Sequence, residues 1–205
     1  MKKAIELFSE WAALGKDEGM KKNHFPAFEN IKKIIKTKYY NQEKLTIGDF
    51  GCGNGWATDN LMKESIIDLA IGYDGSDEMI YKAKQRFSKP TFKKTNLNLW
   101  NEENQFNIIY SMEFLYYLKD PKGFIFSVCG KNLKDNGMFI AGIDHYVENK
   151  SSLKWSKDLN VEMQTKNIEE WKNYLKIAGL RNIKHKQVNK KENWSGTLIF
   201  YGEKK

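Results

Sequence analysis

LTIGDFGCGNGWATDN, residues 45–60, is the stretch from which the rest of the chain is read. Leu45, Ile47 and Phe50 give a short apolar strand, with Asp49 near its end. Gly51, Gly53 and Gly55 follow at alternate positions, where a chain turns sharply and its backbone can approach a ligand. From Trp56 through Leu61 and Met62 the pattern becomes helical. A strand, a glycine loop and a helix N-terminus together hold an anion or a nucleotide, because the first amides of the helix are unpaired. Taken alone, the same stretch is also an ordinary tight strand-to-helix turn.

Working outward, the alternation continues. Ile66–Tyr73 reads as a buried strand closing on Asp74-Gly75-Ser76, and Ser76 as the N-cap of a helix burying Met79, Ile80, Ala83 and Phe87. Thr91–Thr95 and Phe106–Tyr110 read as strands, Pro121–Leu133 as a helix, and Asp135-Asn136-Gly137 as a turn into a strand over Met138–Ile143. Such alternation implies a doubly wound α/β sheet, mostly parallel, with right-handed crossovers. Upstream, residues 2–14 have helical periodicity. Gly15 and Gly19 bracket a turn, and Pro26 suits the first position of a second helix carrying Phe28, Ile31, Ile34 and Ile35.

Downstream, residues 144–164 read as irregular and aromatic. Ile168–Ala178 reads as a helix stopped by Gly179, and Leu180–Val188 with Trp194–Tyr201 as a terminal antiparallel hairpin, its reversed strand at the sheet edge. The expected fold is seven-stranded and Rossmann-like, in one domain over 1–205. It has an N-terminal helical cap over the ligand face (1–40), a cofactor-binding core (45–143) and a substrate-side segment (144–205).

Composition fits a folded globular chain: 40% of residues are hydrophobic and 14% aromatic. No apolar run approaches the roughly 18 residues of a membrane span, and the start does not read as a signal peptide. Two cysteines, Cys52 and Cys129, form no disulfide framework and suit a reducing cytoplasm. The formal charge of +8 raises the question of a nucleic-acid partner. Of the 34 basic residues only Arg86 and Arg181 are arginine, so bidentate phosphate or guanine recognition has little to work with. The charge reads as lysines spread over solvated faces. The three histidines and two cysteines form no ligand pair at helical or hairpin spacing, so no metal site is expected.

The dinucleotide fingerprint G-x-G-x-x-G fails here, because Trp56 stands where its third glycine would be, and no Gly-Lys-Ser/Thr of a phosphate-binding loop follows. Asp49-Phe50-Gly51-Cys52-Gly53-Asn54-Gly55 instead resembles the first motif of class I S-adenosylmethionine-dependent methyltransferases. The resemblance continues through Gly72-Tyr73-Asp74-Gly75-Ser76, Thr95-Asn96-Leu97, Tyr110-Ser111-Met112-Glu113 and the Asn136-Gly137-Met138 turn. It covers about residues 45–143 and is nearest to the small members that act on low-molecular-weight acceptors.

That resemblance implies S-adenosylmethionine as cofactor, with S-adenosylhomocysteine as product. Asp74 stands about 20 residues past the loop, the spacing of a ribose partner, and a carboxylate accepts both hydroxyls of a diol. Gly51, Cys52 and Gly53 would meet the methionine portion and ribose, with Asp49 orienting the loop. Asn96 and Leu97, completed by Gly75 and Met79, would hold adenine, and Ser111 and Met112 would line the methionine end. Glu113 and His145 are the candidates for chemistry on the acceptor, and Trp11, His24, Tyr116, Tyr117, Tyr146 and Trp155 for its binding. The chain has Ser111-Met112-Glu113-Phe114 where adenine- and glutamine-modifying relatives carry Asn/Asp-Pro-Pro-Tyr/Phe. A small-molecule acceptor is therefore expected, with an RNA or protein methyltransferase or a non-catalytic cofactor-binding module as alternatives, and no nucleic acid or membrane as partner.

Overall fold

The computed structural model describes residues 1–205. Its seven strands are β1 (Leu45–Phe50), β2 (Ile67–Asp74), β3 (Thr91–Lys94), β4 (Phe106–Met112), β5 (Leu133–Ile143), β6 (Arg181–Val188) and β7 (Thr197–Glu203). They form one sheet in the order β3-β2-β1-β4-β5-β7-β6. β1 pairs in parallel with both β2 and β4, and β5 with β4. β7 is antiparallel to both its neighbours, β5 and β6. The reversed strand thus lies second from the edge, and β6 is the edge strand. β7 is buried along most of its length because it is covered on both sides, whereas β6 alternates largely exposed residues.

The helices are α1 (Ala4–Ala13), α2 (Glu18–Lys38), α3 (Trp56–Met62), α4 (Asp77–Arg86), α5 (Pro121–Lys131), α6 (Trp155–Asp158) and α7 (Ile168–Ile177). Phe28, Ile31 and Ile35 of α2 pack with Trp56, Ala57 and Leu61 of α3 on one face of the sheet, against Ile47, Ile108 and Ile140. Phe124, Ile125 and Val128 of α5 and Trp171 and Leu175 of α7 cover the other face, against Phe50, Ile109, Phe139 and Phe200. Strands buried on both faces account for the near-continuous apolar runs in β4 and β5. No helix is long and apolar enough to cross a membrane.

Two expectations are corrected. α2 begins at Glu18 and runs through Pro26, so Pro26 is interior rather than first, and Gly19 and His24 are helical. Asp17, fully buried, fixes this early start: its carboxylate accepts from Asn54 Nδ2 at 2.7 Å and pairs with Lys82 Nζ at 2.6 Å, tying α2 to the glycine loop and α4. Asn30 Nδ2 donates to the Pro26 carbonyl at 3.0 Å. Most of α2 is consequently a core helix on the sheet, and only its first turns join α1 over the ligand face. β5 also starts earlier than expected, at Leu133. Asn136 in left-handed backbone (φ 60°) accommodates an irregular register against β4 between Phe106 and Ile108.

Candidate active site

The sheet order reverses between β1 and β4, whose loops leave in opposite directions and open a crevice at the strands' carboxyl ends. A cavity lies there. Its floor is Gly51, Gly53, Asp74, Gly75, Met79, Asn96, Leu97 and Asn98, and its inner end Met112, Glu113, Phe114 and Tyr117. Its roof is Ala4, Ile5 and Phe8 of α1 with Met20 of α2.

The glycine loop is shaped by residues that only glycine fills well. Gly51 has φ 83°, and a side chain there would strike Phe114. A Cβ on Gly53 (φ 52°) would meet only Met20 Cε at 3.8 Å and Met79 Sδ at 4.0 Å, so it would project into the cavity. Asp74 organises this floor: one carboxylate oxygen accepts the Gly53 amide and the other the Ser76 amide, both at 2.9 Å. Burial pushes the Asp74 carboxyl up, and those backbone amides oppose the shift. Each oxygen keeps a further lone pair for a ligand hydroxyl. The Ser76 hydroxyl accepts from the Met79 amide, capping α4 as its sequence implies.

Other expected cofactor residues sit behind this surface. Asp49 is 1% exposed and accepts from the Thr58 hydroxyl at 2.6 Å. Burial pushes its carboxyl up to about 7, with the Thr58 bond opposing and Asp74 adding. Cys52 turns its thiol into a small cluster with Ile80, Ala83 and Phe92. The Ser111 hydroxyl donates to the Phe50 carbonyl at 2.8 Å, joining β4 to β1. These three support the loop from beneath, and their side chains do not line the cavity.

Among the residues expected at the acceptor, Glu113 and Tyr117 line the cavity. Glu113 has left-handed backbone (φ 53°), and its Oε2 accepts from the Tyr116 hydroxyl at 2.7 Å. Burial, followed by the nearby Asp144 charge, raises its carboxyl well above the usual range. His24, from α2, brings Nδ1 to 3.5 Å from Asp144 Oδ2. Burial lowers the His24 pKa, and the Asp144 charge opposes that shift.

His145 is corrected. Its Nδ1 lies 3.0 Å from the Ser152 carbonyl, which can only accept, so Nδ1 carries the proton and Nε2 accepts from the Thr165 hydroxyl at 2.8 Å. Both nitrogens are spent on holding the 144–166 segment, which leaves neither for a base. Tyr146 is likewise committed, its hydroxyl donating to the Gly196 carbonyl at 2.8 Å. Trp155 stacks between His145 and Trp194, and Trp11 packs edge-on against Phe8. None of these four lines the cavity.

Sequence reasoning missed Ala4, Ile5, Phe8, Met20, Asn98 and Phe114. One signal existed for α1: Ile5, Phe8 and Ala12 share one helical face, apart from Leu7.

A family described as "Methyltransferase domain" matches residues 23–185, well over half the chain. The chain therefore belongs to that family, the class I S-adenosylmethionine-dependent methyltransferases. A trans-aconitate 2-methyltransferase from Yersinia pseudotuberculosis is 32% identical over 74 residues, 36% of this chain and 29% of that relative. The chain thus spans less than a third of that curated relative. In Haloferax volcanii, the complex between the Trm112 methyltransferase activator and a putative methyltransferase gives a fold match with TM-score 0.81 at 23% identity, over 99% of this chain and 98% of that one. The magnesium protoporphyrin IX methyltransferase of Synechocystis, solved with bound S-adenosylhomocysteine, matches with TM-score 0.66 at 15% identity over 88% and 84%. S-adenosylmethionine is the cofactor, and the open approach at Gly53 and the spare lone pairs of Asp74 fit it.

Proposed function

We propose that this chain, as one cytoplasmic methyltransferase domain, passes a methyl group to a nitrogen, oxygen or sulfur atom of a small-molecule acceptor. The cofactor, when bound, supplies an electrophilic methyl group already activated on a sulfonium. The protein's work is then to hold, align and keep dry. Asp74 takes the ribose hydroxyls, Gly51 and Gly53 admit the methionine portion, and Asn96 and Leu97 with Met79 hold adenine. Met112 and Glu113 stand at the transfer end. Ile5, Phe8 and Tyr117 exclude water and leave Glu113 as the polar group that meets the acceptor.

The observation that carries the small-molecule reading is the roof. α1 is clamped down by Phe8, whose ring meets Tyr117 edge-on at 5.2 Å, and by Ser9, whose hydroxyl lies 2.9 Å from that of Ser76. In this closed arrangement the roof covers the transfer end. The trans-aconitate relative, by its name, acts on a small acid.

Calorimetry tests the cofactor end. S-adenosylmethionine and S-adenosylhomocysteine should bind and NAD should not. Asp74→Ala should weaken binding by about 1–3 kcal/mol, the range for an unpaired buried polar partner. Equal affinity in the variant refutes the ribose role. Turnover screens with pooled amines, phenols, thiols and carboxylic acids, run beside RNA and protein pools, test the acceptor. Methylation confined to RNA or protein overturns the small-molecule reading, and tight cofactor binding without turnover on any pool favours a binding module.

A further inference from the structure

Three side chains remote in sequence meet behind the inner end of the cavity: His24 from α2, Glu113 after β4 and Asp144 after β5. One ligand-type atom from each lies within 4.8 Å of the other two. His24 Nδ1, Glu113 Oε1 and Asp144 Oδ1 are all buried without a hydrogen-bond partner, and they are three of only six such side-chain atoms in the chain. Asp144 is 5% exposed, so solvent does not satisfy it. Leaving one oxygen of each carboxylate and an imidazole nitrogen without a hydrogen bond at one point is costly, and a shared cation removes that cost.

One spacing within the group, that between His24 and Asp144, bears on which cation. Adjacent ligands at 2.0–2.1 Å from a tetrahedral ion stand roughly 3.4 Å apart. Two acceptors around an ammonium, at about 2.8 Å each, stand roughly 4.6 Å apart in the same directions. His24 Nδ1 and Asp144 Oδ2 are 3.5 Å apart. We propose that His24, Glu113 and Asp144 bind one divalent first-row metal ion, through one imidazole and two carboxylates. A mixed nitrogen and oxygen set of this kind takes Zn²⁺ or Mn²⁺, and lacks the thiolates that select softer ions.

The surroundings hold the ligands in place, as metal sites require. Tyr116 donates to the far oxygen of Glu113, and Asn149 Nδ2 donates to the Asp144 carbonyl at 2.7 Å. Glu113 adopts its left-handed backbone at this point, a conformation that costs energy for a residue with a Cβ and that clusters at functional sites. Three ligands leave a coordination position for water or an acceptor oxygen. Its placement at the transfer end rests on the proposed methyl-transfer reading, but the binding of the ion does not.

Metal-stripped full-length protein, dialysed separately against Zn²⁺ and Mn²⁺, should retain one ion per chain. His24→Ala and Asp144→Asn should each weaken retention at least about tenfold, the lower bound for losing even an outer-shell partner. No retained ion in the wild type, or unchanged retention in both variants, overturns the proposal. Should the variants fail to fold, Co²⁺ loading of the wild type decides. Intense visible bands of a low-coordinate ion are expected, and the weak bands of a hexahydrated ion overturn the site. These readouts need neither cofactor nor acceptor, so their failure leaves the proposed methyl transfer standing, and failed turnover leaves them unaffected.

Discussion

Asp49 shows how a single residue sets the pH behaviour of the loop. It is buried at the end of β1 with the Thr58 hydroxyl as its one hydrogen-bond partner, and its carboxyl is pushed up to about 7, chiefly by burial. In the unfolded chain an aspartate titrates near 3.9. Between these values the folded protein holds a proton on Asp49 that the unfolded one has lost, so the Asp49 contribution to stability falls as pH rises through that window and levels off above about pH 7. Asp74, Glu113 and Asp144 are raised too and tilt the slope the same way. Asp49→Asn keeps a partner for Thr58 and removes the charge. Thermal melts of the cofactor-free protein from pH 4.5 to 8 should show a shallower decline in the variant. Parallel curves for the two proteins would show that Asp49 does not carry its share of the slope.

At the scale of elements, α1 is the part expected to move, because Ala4, Ile5 and Phe8 roof the cavity. The cavity encloses about 70 Å³, against roughly 300–1,000 Å³ for pockets that take drug-sized ligands. A nucleoside-sized cofactor is therefore expected to enter as α1 lifts, with α1 closing over it afterwards. A Cβ on Gly75 would meet the Ile5 side chain at 2.6 Å, so Gly75→Ala should displace the Ile5 side chain and loosen α1 on the floor. Amide exchange over residues 4–13 should slow when S-adenosylhomocysteine binds and speed up in Gly75→Ala, while β4 and β5 exchange equally in all states. Unchanged exchange over 4–13 on binding would remove α1 as the lid.

α1 also marks where the sequence stops being legible. Its periodicity announces a helix, but its apolar residues serve two purposes: Leu7 and Ala12 are core, whereas Ile5 and Phe8 are roof. Pro26 misled because a local preference for the first helical turn was outweighed by Asp17, whose partners Asn54 and Lys82 are distant in sequence. The β1 loop, Asp74 and the Ser76 cap could be read directly, since strand, turn and cap chemistry act over a few residues. His145 was misplaced because proximity to a strand end does not reveal that Ser152 and Thr165 occupy its ring. The meeting of His24, Glu113 and Asp144 follows from three separate elements, and no local pattern encodes it.

Across the whole molecule, the cofactor site is built from both ends of the chain's first half. α1, α2 and the loops after β1, β2, β3 and β4 all reach it, so a ligand there braces elements otherwise joined only at their edges. The two apolar clusters on opposite sheet faces are complete without it, and the protein should fold unliganded. Binding to the native state alone stabilises by mass action, about 2.7 kcal/mol when free ligand is a hundredfold above Kd. For a chain of this size, each kcal/mol moves Tm by roughly 2–4 °C. S-adenosylhomocysteine at that excess should therefore raise Tm by roughly 5–11 °C. At the same ligand concentration, Asp74→Ala should lose roughly a third to nine-tenths of that rise, through weaker binding. A full rise in the variant would mean that the cofactor is held by contacts other than the β2 carboxylate. A rise on adding NAD instead would place a different nucleotide in the cavity.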